Sequence, residues 1–151
     1  MKVLVLGSKG QLGRCLHDQF INTNHEVVYT SRAELDIGEL LTIKIKILAI
    51  KPDIVINASA YTAVDKAEKD PKTSDLINHL AVAVIAGVCK ELNSWLVHFS
   101  TDYVFDGTAT QPYTENDKTN PLCIYGASKL KSEDSIKEAG CNYIIIRTAW
   151  V

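Results

Sequence analysis

No run of apolar residues in this sequence is long enough to cross a bilayer, and Met1 leads straight into a predicted strand, so neither a membrane span nor a signal peptide is expected. An excess of basic residues is missing too. The net charge of -2 supplies no cationic surface for nucleic acid. The four cysteines, Cys15, Cys89, Cys123 and Cys141, lie far apart and form no C-x-x-C pair. That spacing speaks against zinc and for free thiols, so a cytoplasmic protein without a metal is expected. There is no internal repeat, no low-complexity stretch and no linker, and 151 residues fit one domain.

What is present is organised around residues 3–13. Val3-Leu4-Val5-Leu6 reads as a strand buried on both faces. Gly7, Gly10 and Gly13 follow, and Leu12, Leu16 and Phe20 carry helical periodicity onward. A strand, a glycine turn and a helix in that order make a phosphate site. The first glycine permits a sharp turn, the second lets backbone approach a pyrophosphate, and the third lets the helix pack on the sheet. The spacing is G-x-x-G-x-x-G, not the G-x-G-x-x-G dinucleotide fingerprint, and an ordinary turn is the alternative reading.

Further strands are predicted at 26–30, 54–58, 95–100 and 142–147, alternating with helices at 11–20, 39–50, 64–70, 73–92 and 125–139. This alternation implies an α/β, Rossmann-like, doubly wound and mainly parallel sheet with helices on both faces, spanning 1–151 as one dinucleotide-binding domain. Beyond the second strand an NAD site places an acid for the ribose diol. Here the chain reads Thr30-Ser31-Arg32, and the hydroxyl and guanidinium suit a 2′-phosphate. NADPH is therefore expected, with NADH as the alternative, although Arg32 reads equally as a solvated loop charge. His98, inside the fourth strand, is expected to be a satisfied structural histidine, because no partner is spaced for metal. Residues 101–122 read as a long loop, and long loops are often functional.

Tyr125 and Lys129 are placed at i and i+4 at the start of a helix, on one face. A neighbouring ammonium favours the phenolate and is expected to lower the tyrosine pKa. Such a tyrosine can protonate a carbonyl oxygen as hydride reaches the carbon. Ser100-Thr101, at the carboxyl end of the fourth strand, supplies a hydroxyl for the same oxygen. Each signal is weak alone, but all occur in the order a reductase needs.

The runs Gly7-Ser8-Lys9-Gly10-Gln11-Leu12-Gly13, Thr62-Ala63-Val64-Asp65-Lys66-Ala67-Glu68, Ser100-Thr101-Asp102-Tyr103-Val104-Phe105-Asp106-Gly107, Tyr125-Gly126-Ala127-Ser128-Lys129 and Arg147-Thr148-Ala149-Trp150-Val151 resemble those of the extended short-chain dehydrogenase/reductases. Within that family they are most similar to the dTDP-4-dehydrorhamnose reductases, along the whole chain. The resemblance implies NAD(P)H-dependent reduction of the 4-keto group of a nucleotide-linked 4-keto-6-deoxy sugar. Tyr125 would be the proton donor, Lys129 its helper and a ribose ligand, and Thr101 a hydrogen bond to the sugar carbonyl. Asp102 and Trp150 match substrate-contacting positions. Gly7, Gly10, Gln11, Leu12 and Gly13 would hold the pyrophosphate, Ser31 and Arg32 the 2′-phosphate, and Asp36 and Ile37 the adenine side. Ala58, Ala60, Tyr61 and Thr62 would line the middle of the cofactor.

The related sugar dehydratases carry an acid pair after the threonine. Asp102 is followed here by Tyr103, which speaks against dehydration. Family members continue past Val151 into a substrate-binding region, so the chain as given corresponds to the cofactor half. It is expected to fold, to bind the dinucleotide weakly, to turn over poorly and to self-associate as a homodimer through the open surface near Trp150. The alternative is a non-catalytic binding or regulatory protein that resembles the regulatory subunit of methionine adenosyltransferase.

Overall fold

Strands β1 (Lys2–Leu6), β2 (Glu26–Thr30), β3 (Ile54–Asn57), β4 (Trp95–Thr101) and β5 (Asn142–Thr148) lie parallel in the order β2-β1-β3-β4-β5. The structure is a computed structural model and describes residues 1–149. Trp150, expected from the sequence to touch substrate, lies outside the described residues.

The register sorts the strand side chains cleanly, because successive residues point to opposite faces. Val3, Val5, Ile56, Val97 and Phe99 share one face with Leu16 and Phe20 of α1 (Gln11–Phe20). Leu4, Leu6, Val55 and Leu96 share the other. There they meet a layer of three helices: α2 (Leu40–Ile50), α5 (Ala81–Leu92) and α6 (Ile124–Ala139). Both faces of the central strands are thus covered, which is why those strands read as continuous apolar runs. Coverage thins at the β5 edge, where Ile144 and Ile146 stand 48% and 40% exposed on the α1 side.

The stretch between β3 and β4 departs from the expected single helix over 73–92. A short helix, α3 (Val64–Ala67), is followed by α4 (Pro71–Asp75), a π-helical turn (Leu76–Leu80) and α5 without a break. Pro71 occupies the first turn, where its missing N–H costs nothing, and the Asp70 carboxylate accepts from the Thr73 N–H at 3.1 Å. The π turn adds one residue to the helical count, and Asn78 within it is buried. Such turns are frequent at functional sites.

Residues 101–122 are less irregular than the sequence implied. Asp102–Val104 forms a 3₁₀ turn, and the Asp106 carboxylate then gathers the loop. It accepts from the Thr108 and Tyr113 hydroxyls at 2.7 and 2.9 Å and from Asn120 at 3.1 Å. These donors hold its carboxyl well below the usual carboxylate range. The Phe105 and Tyr113 rings stack at 4.2 Å, and the Arg147 guanidinium lies 5.1 Å from the Phe105 centroid.

Candidate active site

The glycine turn makes a cradle that only glycine tolerates at two places. Gly7 has φ 80, and a Cβ there would meet the Ala58 carbonyl at 2.8 Å. A Cβ on Gly13 would overlap the Gly7 carbonyl oxygen, so α1 packs directly on the turn. Gly10 caps α1 without any side-chain hydrogen bond. The first N–H groups of a helix have no partner within it. Left uncapped, they face the turn together with the positive end of the helix dipole, which suits an anion. Beside them opens a cleft of about 310 Å³ lined by Gly7, Lys9, Gly10, Arg32, Leu35, Asp36, Ile37, Ala58, Ser59, Ala60, Tyr61, Thr73 and Ile77.

At the far end of this cleft the sequence reading needs correction. An acid is present after β2: the Glu34 carboxylate accepts from both the Ser31 N–H at 2.8 Å and the Ser31 hydroxyl at 2.7 Å. Ser31 is buried and its hydroxyl is committed to that carboxylate, so it is not free for a 2′-phosphate. Its two donors hold the Glu34 carboxyl below its ordinary value. Arg32 is exposed and donates to Asp36 through Nε at 2.9 Å. The Gly38 N–H and Arg32 together keep Asp36 low. Arg32 remains at the cleft as an exposed cation paired with Asp36.

The second group of residues gathers where β4 meets α6. Thr101 ends β4, buried, with its hydroxyl donating to Asp102 Oδ1 at 3.1 Å and accepting from the Tyr103 N–H at 3.2 Å. Tyr125 is in the first turn of α6, its ring edge-on to Tyr103 at 5.8 Å. The close approach depends on Gly126, where a Cβ would overlap the Tyr103 carbonyl oxygen. Burial pushes the Tyr125 phenol above its ordinary value, Thr101 beside it pulls the other way, and Asp102 adds to the rise. The expected lowering by Lys129 is not found. The Lys129 side chain runs inward beneath α6, with Nζ 2.5 Å from the Phe99 carbonyl oxygen and 3.2 Å from His98 Nε2. Desolvation, partly offset by Glu133, brings this buried ammonium down to about 8.

The cleft and the tyrosine are joined through the π turn. Asn78 bonds both backbone groups of Tyr61, at the cleft wall, and donates to the Ser128 hydroxyl at 3.0 Å. Ser128 in turn donates to the Tyr125 carbonyl at 2.7 Å. Of the expected cofactor residues, Gly7, Gly10, Arg32, Asp36, Ile37, Ala58, Ala60 and Tyr61 line the cleft. Gln11, Leu12 and Gly13, at the start of α1, are not among its lining residues. Ser31, Thr62, Tyr125 and Lys129 do not line it. Lys9, lying within the glycine turn itself, could have been read from the sequence. Ser59 follows the carboxyl end of β3, where ligands sit in an open α/β sheet, whereas Thr73, Ile77 and Asn78 carry no local signal and arrive by tertiary packing. A larger concavity of about 680 Å³, lined by Asp102, Phe105, Tyr113, Glu133 and Arg147 among others, opens beside β5. It lacks the uncapped N–H groups, which lie beside the smaller cleft. Among the described residues no group of three His, Cys, Asp or Glu is placed to hold a metal ion, and no helix is long and apolar enough to cross a membrane.

A parallel sheet in the order 2-1-3-4-5, with helices on both faces and a glycine turn at the carboxyl end of β1, makes this a Rossmann-like α/β domain. The chain belongs to the RmlD substrate binding domain family, whose model matches residues 1–151. It is 44% identical over its full length to a dTDP-4-dehydrorhamnose reductase of Burkholderia thailandensis, of which it covers 50%. A crystal structure of a dTDP-4-dehydrorhamnose reductase from Clostridium acetobutylicum superposes with a TM-score of 0.97 at 41% identity, over 99% of this chain and 54% of that one. The Bacillus anthracis reductase, solved in complex with NADP, gives 0.94 at 34% identity, over 99% of this chain and 53% of that one. The chain thus spans about half the length of the relatives it matches.

Proposed function

We propose that this chain is the cofactor half of an NADPH-dependent reductase acting on the 4-keto group of a nucleotide-linked 4-keto-6-deoxy sugar. The observation that carries the reading is the Tyr61–Asn78–Ser128 bridge, which fixes the wall of the glycine-turn cleft to the helix turn that bears Tyr125. The relatives' shared name and the NADP complex of one of them support it.

The residues fit a dinucleotide. Uncapped N–H groups at the start of α1 suit the pyrophosphate, and Arg32 and Lys9 supply positive charge at the cleft. The nicotinamide, when bound, supplies hydride to the carbonyl carbon. The Tyr125 hydroxyl gives its proton to the carbonyl oxygen, so that ketone, hydride and proton together become an alcohol. A phenol held above its ordinary pKa stays protonated at neutral pH, which suits a proton donor in the direction of reduction. Thr101, turning its hydroxyl from Asp102 to the same oxygen, steadies the charge that develops there. Asp102 and Trp150 would contact the sugar.

The test uses the protein extended to the full length of its relatives and compares it with its Tyr125→Phe variant for NADPH binding and for oxidation of NADPH in the presence of the keto sugar. The expected result is an unchanged dissociation constant and a rate lower by about 10²–10⁴-fold, the usual contribution of general acid catalysis. A normal rate in Tyr125→Phe would remove Tyr125 from the mechanism.

A further inference from the structure

A row of buried polar groups crosses the interior where the sheet is otherwise apolar. Asn57 of β3 and His98 of β4 are register partners on the face that α6 covers. Their side chains meet at 3.3 Å, Asn57 Nδ2 to His98 Nδ1. On the far side of the ring, Nε2 lies 3.0 Å from the Ser132 hydroxyl and 3.2 Å from Lys129 Nζ. All four side chains are almost fully buried.

The hydrogen bonds around the row fix where each proton is. Asn57 Oδ1 accepts from the Ser59 N–H at 3.1 Å, so the other end of the amide, the NH₂, faces His98 and Nδ1 must accept. The Ser132 hydroxyl donates to the Lys129 carbonyl oxygen at 2.5 Å, so its oxygen is left to accept, and Nε2 must donate. His98 is therefore neutral and carries its proton on Nε2. Burial and the adjacent ammonium both hold it well below its ordinary pKa. The consequence falls on Lys129. The imidazole atom next to its ammonium is an N–H rather than a lone pair. Of the three ammonium donors, one goes to the Phe99 carbonyl and His98 can accept none of the others.

We infer that His98 is a positioning residue for Lys129: by presenting a donor instead of an acceptor, it keeps the buried ammonium from settling on the protein and leaves its remaining donors for a bound ligand with hydroxyl acceptors. The ligand is the dinucleotide ribose of the reading proposed above, on which this inference rests. The groups facing Lys129 are His98 from β4 and Glu133 from α6. Glu133 is itself paired with Arg147 of β5 at 2.7 Å.

Three measurements test it. In the unaltered protein, long-range ¹H–¹⁵N spectra of the imidazoles should show His98 neutral and protonated on Nε2 throughout about pH 5.5–8.5, a range in which a free histidine titrates. Protonation on Nδ1, or an imidazolium in that range, overturns the inference. In His98→Gln the amide can rotate its carbonyl toward Lys129 and capture the ammonium. NADPH should then bind about ten-fold more weakly, the scale of one hydrogen bond to a charged group. In a Lys129→Met background the same substitution should change nothing. An equal loss in both backgrounds means that His98 acts only on the fold, and overturns it. In His98→Gln the ε-amine of Lys129 should also titrate higher, since a carbonyl acceptor favours the charged form. An unchanged titration overturns the inference as well. Failure of the functional reading is seen separately, as unaltered NADPH affinity in Lys129→Met alone. The ε-amine titration still judges His98 in that event.

Discussion

The Asn78 amide pairs with the peptide of Tyr61 at both ends: Oδ1 accepts the Tyr61 N–H at 2.8 Å, and Nδ2 donates to the Tyr61 carbonyl at 3.0 Å. A side chain here mimics a strand partner for one residue of a loop, so the wall of the cleft is held by a helix 17 positions away.

Asn78→Ala removes this pairing and leaves both backbone groups of Tyr61 without it, while the Ser128 hydroxyl keeps Tyr125 and Ser74. A loss of about 1–3 kcal/mol in unfolding free energy is expected, the cost of orphaned polar groups in a part-buried setting. Urea denaturation measures it. NADPH affinity should fall in the same variant, because Tyr61 lines the cleft. Normal affinity would mean that the loop holds its shape unaided.

Ser31 and Arg32 are neighbours in sequence and should separate in experiment. Arg32→Ala should weaken NADPH by about 1–3 kcal/mol and spare NADH, since a guanidinium distinguishes the two by the 2′-phosphate. Ser31→Ala should lower thermal stability and leave the NADPH-to-NADH ratio alone, since the hydroxyl is engaged by Glu34. Calorimetric titration with both cofactors, alongside melting curves, decides between them. Equal affinities in the unaltered protein would refute the cofactor preference.

Glu133 is buried at the centre of an ion pair that secures β5 to α6. Arg147 reaches both its oxygens, at 2.9 and 2.7 Å, and Ser100 donates at 2.6 Å. Burial alone would raise its pKa, but Arg147 and Ser100 outweigh burial and the net shift is downward. A carboxylate with a lowered folded-state pKa stabilises fully above its ordinary value of 4.5 and loses that contribution as pH falls through the folded value. Arg147→Met strands the charge and should cost about 3–5 kcal/mol at neutral pH. In the variant Ser100 and Lys137 alone oppose burial, so the Glu133 pKa should lie above that of the unaltered protein and the deficit should shrink in acid. Chemical denaturation at pH 7 and near pH 4 checks the sign, and a deficit growing in acid would contradict it.

Gly126→Ala places a methyl against the Tyr103 carbonyl, which is backbone and cannot swing aside. About 1–3 kcal/mol of overpacking is expected, with α6 displaced from the 3₁₀ turn. The sensitive readout is catalytic, since Thr101 and Tyr125 sit on the two sides of that contact. A variant with normal melting and normal turnover would show that the contact is slack.

The sheet was legible because its strands are buried on both faces, and buried parallel strands advertise themselves as apolar runs. The glycine turn was legible for a different reason, since backbone crowding leaves glycine as the only choice at Gly7 and Gly13. Proton chemistry was harder to read. The Tyr125–Lys129 spacing puts both residues on one helix face, but it says nothing of the cavity under that face, and the lysine follows the cavity to Phe99. In the same way Thr30-Ser31-Arg32 lacks an acid, yet the turn brings Glu34 back to Ser31. Asn78 was invisible because an asparagine in a helical stripe has no periodic signature. Only the π turn gives it a role.

That π turn makes the helix over residues 71–92 a phased object. Each residue of an α-helix advances it by about 100°, so one added position sets the angle at which the segment before residue 76 meets the segment after residue 80. Deleting a single residue there would leave a regular helix with the same composition and nearly the same circular dichroism, yet Asn78, Ser74 and Thr73 would face new directions. Part of the site is thus written in the count of residues rather than in their kinds. A substitution scan along this helix could pass over every position and miss what one deletion would expose.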